Sequence, residues 1–233
     1  MDNSIKHIRE LVKDIDPQVG ILDREGALLY NLARKLPPGG CIVEIGSWKG
    51  RSTIWLGQGA LESGNIVYAI DPHTGTSSHE LTGEEDTFEA FISNIKRAGL
   101  DKVVRPLRMT SKEACRGKLV KEKINMVFID GEHQYEDVVI DYYYWGHYLP
   151  EDSIVAFHDT IGYIGPRTVV EATIFDVYSS WRLLGICGQI VAARQDYLKW
   201  RFSNIPLWVC WKLYSLGFLL LKYLPKSWKE KLK

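Results

Sequence analysis

The sequence has no Cys-x-x-Cys pair, no excess charge of either sign, and no apolar run of the roughly 20 residues that a membrane-spanning helix needs. Its four cysteines, Cys41, Cys115, Cys187 and Cys210, are scattered through 233 residues. That excludes a disulfide scaffold and fits a reducing compartment; Cys41 and Cys187 lie in apolar runs, where a thiol packs as a small hydrophobe. The first segment, MDNSIKHIRELVKDID, lacks the apolar stretch of a secretory signal, so a cytoplasmic location is expected. Lys+Arg and Asp+Glu are each 29, but the balance hides an asymmetry. Residues 197–233 carry eight basic groups against one acid, +7, and the rest of the chain carries −7. An acidic body excludes a general grip on nucleic acid. Also missing are internal repeats, low-complexity tracts and the Gly-x-Gly-x-x-Gly of dinucleotide-binding folds.

What is present is a series of short apolar runs: Cys41–Ile45 (CIVEI), Ile66–Ile70 (IVYAI), Asn125–Ile129 (NMVFI) and Ser153–Phe157 (SIVAF). Continuous rather than alternating apolarity predicts strands buried on both faces, as in a parallel sheet. Val103–Leu107 is a weaker fifth, and Pro106 places it at an edge or a strand end. Trp181–Gly185 and Gln189–Ala193 are close enough to form a terminal antiparallel pair. Between them lie helical patterns. Thr82-Gly83-Glu84-Glu85 reads as a capping box before Phe88, Phe91, Ile92 and Ile95, with Gly99 as the stop. Tyr135, Val138, Val139, Tyr142 and Trp145 repeat the spacing, and another helix is expected from Ser52 to about Ala60. Strands alternating with helices predict a doubly wound α/β fold with a mostly parallel, seven-stranded sheet. The expected division is a helical segment over 1–39, the α/β domain over 40–196 and a basic, apolar helical tail over 197–233.

Open parallel sheets bind ligands beyond the carboxyl ends of their strands. The residues there are Gly46-Ser47, Asp71-Pro72-His73, Asp130-Gly131-Glu132-His133 and His158-Asp159-Thr160. Glycines 46 and 50 allow a sharp strand-to-helix turn and close backbone approach to a ligand. Glu44, an acid inside an apolar strand, needs a partner: the loop's own amides or a ligand's ammonium group. Asp71 is placed to accept the two hydroxyls of a ribose, or to serve as a turn acid. His133 is suited to proton removal near neutral pH, or to capping the helix that follows. His73 and His79 fall in a loop over the site, as substrate contacts or exposed residues. Met126 and the run Tyr142–Trp145 read as core and helix-face packing, with at least one Tyr exposed.

Glu-x-Gly-x-x-x-Gly after a first strand and Asp after the second resemble class I S-adenosylmethionine-dependent methyltransferases. FIDGEHQYEDVVIDYYYW followed by IVAFHDT is similar to their small-molecule branch, which includes macrolide-sugar O-methyltransferases and cephalosporin-hydroxylase-like proteins. The resemblance covers roughly residues 40 to 194. It implies that Gly46, Ser47 and Gly50 line the methionine moiety of S-adenosylmethionine and that Glu44 supports that loop. It also implies that Asp71 holds the ribose, that Ser111 sits near adenine and that Asp130 borders the cofactor. Asp130, His158 and Asp159 match the position of metal ligands, and His133 that of a catalytic base, with His158 the alternative. Relatives that use Mg²⁺ carry Glu-Asp where this chain has His158-Asp159. An imidazole there leaves open a softer divalent metal or none.

The implied activity is O-methylation of a small-molecule, sugar or glycan acceptor by in-line transfer. A nicotinamide-dependent (NAD) oxidoreductase and a non-enzymatic membrane-tethered adaptor are the other classes. The tail, Ile205 to Leu221, carries one charge, Lys212, which shares a helical sector with Ser215 and Lys222. Trp208, Trp211 and Trp228 lie around it. Such a pattern suits an interfacial helix on an anionic membrane, a helix docked on the domain, or a contact in a homo-oligomer.

Overall fold

The computed structural model describes residues 3–16, 20–75, 86–147, 149–176, 178–196, 209 and 211–217. The expected capping box at Thr82–Glu85 and His79 lie outside the described residues, as do Cys210, Trp208, Lys222 and Trp228. The apolar runs form strands β1 (Cys41–Ile45), β2 (Ile66–Ile70), β3 (Val104–Leu107), β4 (Ile124–Ile129) and β5 (Ile154–Phe157). β6 (Trp181–Cys187) and β7 (Ile190–Gln195) complete one seven-stranded sheet, in the order β3-β2-β1-β4-β5-β7-β6. All neighbours are parallel except β7, which runs antiparallel to both β5 and β6. β3 is an edge strand, where the missing N–H of Pro106 costs no ladder bond.

Period-two alternation sorts β1 between two cores. Ile42 joins Leu29, Trp55, Phe91 and Met126 under helices α1 (Asn3–Val12), α2 (Asp23–Ala33), α3 (Arg51–Ser63) and α4 (Phe88–Arg97). Cys41, Val43 and Ile45 face Val138, Trp145, Val170 and Trp211, under α6 (Tyr135–Asp141) and α7 (Ile164–Thr173); α5 (Ser111–Arg116) flanks that core through Ala114. The first 39 residues thus contribute directly to one face of the sheet. Arg51 at the start of α3 clamps them, donating to the carbonyls of Val12, Ile15 and Ile21 and to Asp23 Oδ1. α2 and α3 pack closely because Gly59 faces Ala33; a Cβ there would stand 2.7 Å from both the Ala33 Cβ and the Tyr30 carbonyl.

The Tyr135 helix departs from its expected regular course: Tyr142–Gly146 is a π-helical turn. The wider turn leaves Tyr143 exposed and directs Trp145 inward, where its indole N–H donates to the Ser111 carbonyl at 3.2 Å. π-turns of this kind collect near functional sites.

Candidate active site

Strand ladders continue one residue past each apolar run, and this places the site. Gly46 N–H donates to Ile70 O, Asp71 N–H to Leu107 O, Asp130 N–H to Ile45 O and His158 N–H to Ile129 O, at 2.9–3.2 Å. Four of the expected positions are therefore fixed by sheet hydrogen bonds along one carboxyl edge. They flank the β1–β4 junction, where the strand order reverses and α/β folds bind ligands.

The glycine loop is built around Asp71. Its Oδ2 accepts the Ser47 and Trp48 amides, both at 2.8 Å, and its Oδ1 accepts the His73 amide at 2.6 Å. Trp48 and His73 hold left-handed backbone, φ 46° and 58°, a conformation that bulky residues keep only where the surroundings impose it. Asp16, from the segment after α1, grips the loop from outside: it accepts the Trp48 indole N–H at 2.8 Å and pairs with Lys49 at 3.1 Å. Ser47 is buried with no partner for its hydroxyl, and Glu44 Oε1 is likewise unpartnered.

Glu44 lies wholly inside the α1–α4 core, with Thr53 Oγ1 donating to its Oε2. Burial pushes its carboxyl up to about 8, against the hydrogen bonds from Ser52 and Thr53. The folded chain keeps this proton to about pH 8, whereas the unfolded chain releases it near the ordinary 4.5. Between those values the unfolded state binds fewer protons, so stability falls as pH rises. Glu44→Gln is expected to remove this slope and to gain on the order of 4 kcal/mol over wild type at pH 8. Denaturant unfolding of both proteins from pH 5 to 8 checks it; parallel curves would contradict the buried, protonated carboxyl.

Across β4 and β5 stands a second cluster. His158 is 4% exposed, with Nδ1 at 3.0 Å from Asp130 Oδ1 and 3.3 Å from Asp159 Oδ2. Its Nε2 is 3.5 Å from Glu25 Oε2. Neither ring nitrogen has hydrogen-bond geometry to a partner. Burial favours the neutral ring, but Asp130, Asp159 and Glu25 outweigh it and raise His158 well above its ordinary value. Burial likewise opposes ionisation of Asp159, yet His133 and His158 hold it far below the carboxylate range. Asp159 Oδ2 also meets His133 Nε2 at 2.7 Å, and the Tyr163 ring stacks on His133 with centroids 3.9 Å apart. Asp130, His158 and Asp159 offer ligand atoms within 4.8 Å of one another, a grouping that could hold a metal ion.

Ser111 opens α5 and donates its hydroxyl to Asp141 Oδ1, whose buried carboxyl is pushed up to about 6. Between the Asp71 and Ser111 loops lies an open cleft of about 640 Å³, lined by Pro72, Thr74, Arg108, Met109, Glu113 and Leu119. His73 is neither exposed nor free to meet a substrate: it is buried, with Nδ1 at 2.9 Å from Thr87 Oγ1 and its ring against Phe88 and Phe91. His133 does not cap α6, since Gln134 holds that position. His7 and His147 are exposed.

Three participants escape a reading by motif: Glu25, Asp16 and Asp141. Glu25 carries a local signal only as the third residue of α2, accepting the Leu22 amide at 2.6 Å. Its other oxygen accepts the Gln189 amide at 2.8 Å, so one carboxylate joins α2, the β6–β7 turn and His158.

A family model described as a methyltransferase domain matches residues 43–160. The uncharacterized protein y4gI of Sinorhizobium fredii is 30% identical over 122 residues, 51% of this chain and 13% of that protein, so the match spans about an eighth of that relative's length. Among solved structures, cofactor-bound Rv0187 from MTB superposes with TM-score 0.61 at 16% identity, covering 84% of this chain and 90% of that one. An O-methyltransferase from Bacillus cereus, in complex with SAH, gives 0.59 at 18%, covering 84% and 92%. TomG from Streptomyces achromogenes, an O-methyltransferase involved in tomaymycin synthesis and solved with SAM, gives 0.60 at 17%, covering 84% and 91%. At these identities the likeness is one of fold.

Proposed function

We propose, because the chain belongs to the family of methyltransferase domains, that it moves a methyl group from S-adenosylmethionine to a hydroxyl of a small molecule, a sugar or glycan among the candidates. The observation that carries the cofactor assignment is the glycine loop. Its backbone passes so close to β4 that a Cβ on Gly46 would stand 2.1 Å from the Asp130 carbonyl, and it leaves Ser47 Oγ and Glu44 Oε1 buried without partners. A polar ligand seated on the loop would satisfy those two atoms. That Solved O-methyltransferases of this fold hold SAM or SAH supports the reading.

Bound there, the cofactor supplies a methyl group on a positively charged sulfur, open to in-line displacement. In this reading Gly46, Ser47 and Gly50 hold its methionine end, Glu44 braces the loop, and Asp130 closes the side toward β4. Asp71 would offer its one remaining lone pair to the ribose while anchoring the loop, and Ser111 would lie near the base. His133 would take up the proton that the acceptor hydroxyl gives up. Asp159 orients that imidazole and stabilises the imidazolium, as a buried carboxylate does for a catalytic histidine. A divalent metal would be held by Asp130, His158 and Asp159 and would acidify the acceptor hydroxyl. The nitrogen donor suits an ion softer than Mg²⁺, and the unpartnered His158 nitrogens fit such a ligand set. Among the described residues no helix is long and apolar enough to cross a membrane; we place the protein in the aqueous phase, with peripheral membrane contact through its tail.

Calorimetric titration of S-adenosylmethionine, with NAD as control and with or without divalent metal, tests the assignment. Saturable binding of the methyl donor is expected, weakened about tenfold or more by Asp71→Ala, which removes three amide contacts along with the ribose acceptor. Absence of binding under every condition would overturn it.

A further inference from the structure

The tail helix docks through Trp211 and Ser215 and leaves a second apolar face outward. Over 211–217, Trp211 and Ser215 are buried at 1% and 2%, and Lys212 Nζ is 2.6 Å from Glu171 of α7. Trp211 packs on Phe175, with the Arg167 guanidinium above its ring. Ser215 thus faces the domain beside Trp211, and Lys212, its side chain 41% exposed, reaches Glu171 from the margin of the contact. Val209, Leu213 and Leu216, at helical spacing, point outward with Tyr214 beside them, and Leu213 is 66% exposed. A helix kept only for packing would bury those leucines.

We propose that this outward face, Val209, Leu213, Tyr214 and Leu216, seats the protein on an anionic lipid bilayer. Charge selects the occupant. Residues 197–233 carry +7 and the remainder −7, so an anionic surface attracts the tail segment and repels the rest of the chain. A twofold contact between copies would set the same basic segment against itself, which like charge opposes. The Lys212–Glu171 bridge neutralises the one cation on the described helix that would otherwise need a lipid headgroup. The helix would lie on the surface without crossing it, its outward apolar side chains in the acyl boundary. The seat lies along α7; Arg167 is one helical turn from Tyr163, whose ring stacks on His133.

This deepens the peripheral placement proposed above and does not depend on methyl transfer. The test uses the full chain and a Leu213→Glu/Leu216→Glu variant, both sedimented with phosphatidylcholine vesicles with and without phosphatidylserine. S-adenosylmethionine titration and sedimentation velocity without lipid are run on both. Expected are partitioning onto the phosphatidylserine vesicles, its weakening by raised salt, and a drop of about tenfold or more in the variant, with cofactor affinity and melting temperature unchanged. Failure of wild type to bind vesicles overturns the proposal, as does binding that the variant retains. A wild-type dimer that the variant breaks, with no partitioning, overturns it in favour of a second copy on this face. Loss of cofactor binding by wild type would strike the methyl-transfer reading alone.

Discussion

Gly46→Ala is expected to abolish S-adenosylmethionine binding and to cost the fold about 3 kcal/mol or more. Two effects add at this position. The backbone is left-handed at φ 83°, which alone costs an alanine roughly 1 kcal/mol. The new Cβ would also stand 2.1 Å from the Asp130 carbonyl oxygen, 2.6 Å from its carbon and 2.9 Å from Gly131 Cα. Every one of those atoms is backbone, so no side chain can swing aside. Asp130 is itself held by its N–H to Ile45 O at 2.9 Å, so relief requires β1 and β4 to part at the ends that carry the site. Gly39 is the control: its φ is 81°, but nothing lies within 4 Å of an added Cβ. Gly39→Ala should therefore show the conformational cost by itself, about 1 kcal/mol, with cofactor affinity intact. Denaturant unfolding and titration of the two variants side by side decide the matter. Equal, small losses would mean that the β1–β4 junction is looser than the contacts describe.

How far the sequence foretells this arrangement follows from which interactions are local. β1 and β2 are legible to the residue because an unbroken apolar run between glycines and acids has few other uses. β4 starts one residue earlier than its pattern and β7 runs two residues further, because strand ends are set by a neighbour's hydrogen bonds and not by apolarity. The acids and histidines after the strands stand out because the fold class says where to look. Glu25 does not, since its contact with His158 spans the sheet and its own neighbourhood reads as an ordinary helix start. Asp16 and Asp141 are hidden for the same reason. His73 sits in a sequence that reads as an open loop, yet Thr87, Phe88 and Phe91 enclose it, a closure that depends on how α4 packs. The tail shows the limit most clearly. A helical wheel finds the polar sector but cannot tell which side meets the domain, and Glu171, the partner that decides it, is 41 residues away.

Substituting the two histidines should divide activity from folding. His133→Ala is expected to lower kcat by 10²–10⁴ on any hydroxyl acceptor that an S-adenosylhomocysteine-release screen identifies, the usual contribution of a general base, with cofactor affinity close to wild type and a smaller loss of stability than His158→Ala. The ring lies at the edge of the cluster, stacked on a half-exposed Tyr163, and its loss leaves Asp159 still facing His158. His158→Ala removes the one imidazole shared by Asp130, Asp159 and Glu25. Buried acids left without their cation cost about 3–5 kcal/mol, so this variant should unfold far more readily. Its defect should be greatest near neutral pH and smaller in mild acid, where the abandoned carboxylates can take up protons. His158 is raised in the folded state, so its contribution is full below the ordinary histidine value of 6.5 and declines as pH climbs through the raised one. His158 is enclosed by Asp130, Asp159 and Glu25, whereas His133 lies at the edge of the cluster with its Nε2 on Asp159. A full-rate His133→Ala enzyme would move the proton transfer to another group, with Tyr163, at van der Waals distance from the same ring, the next to substitute.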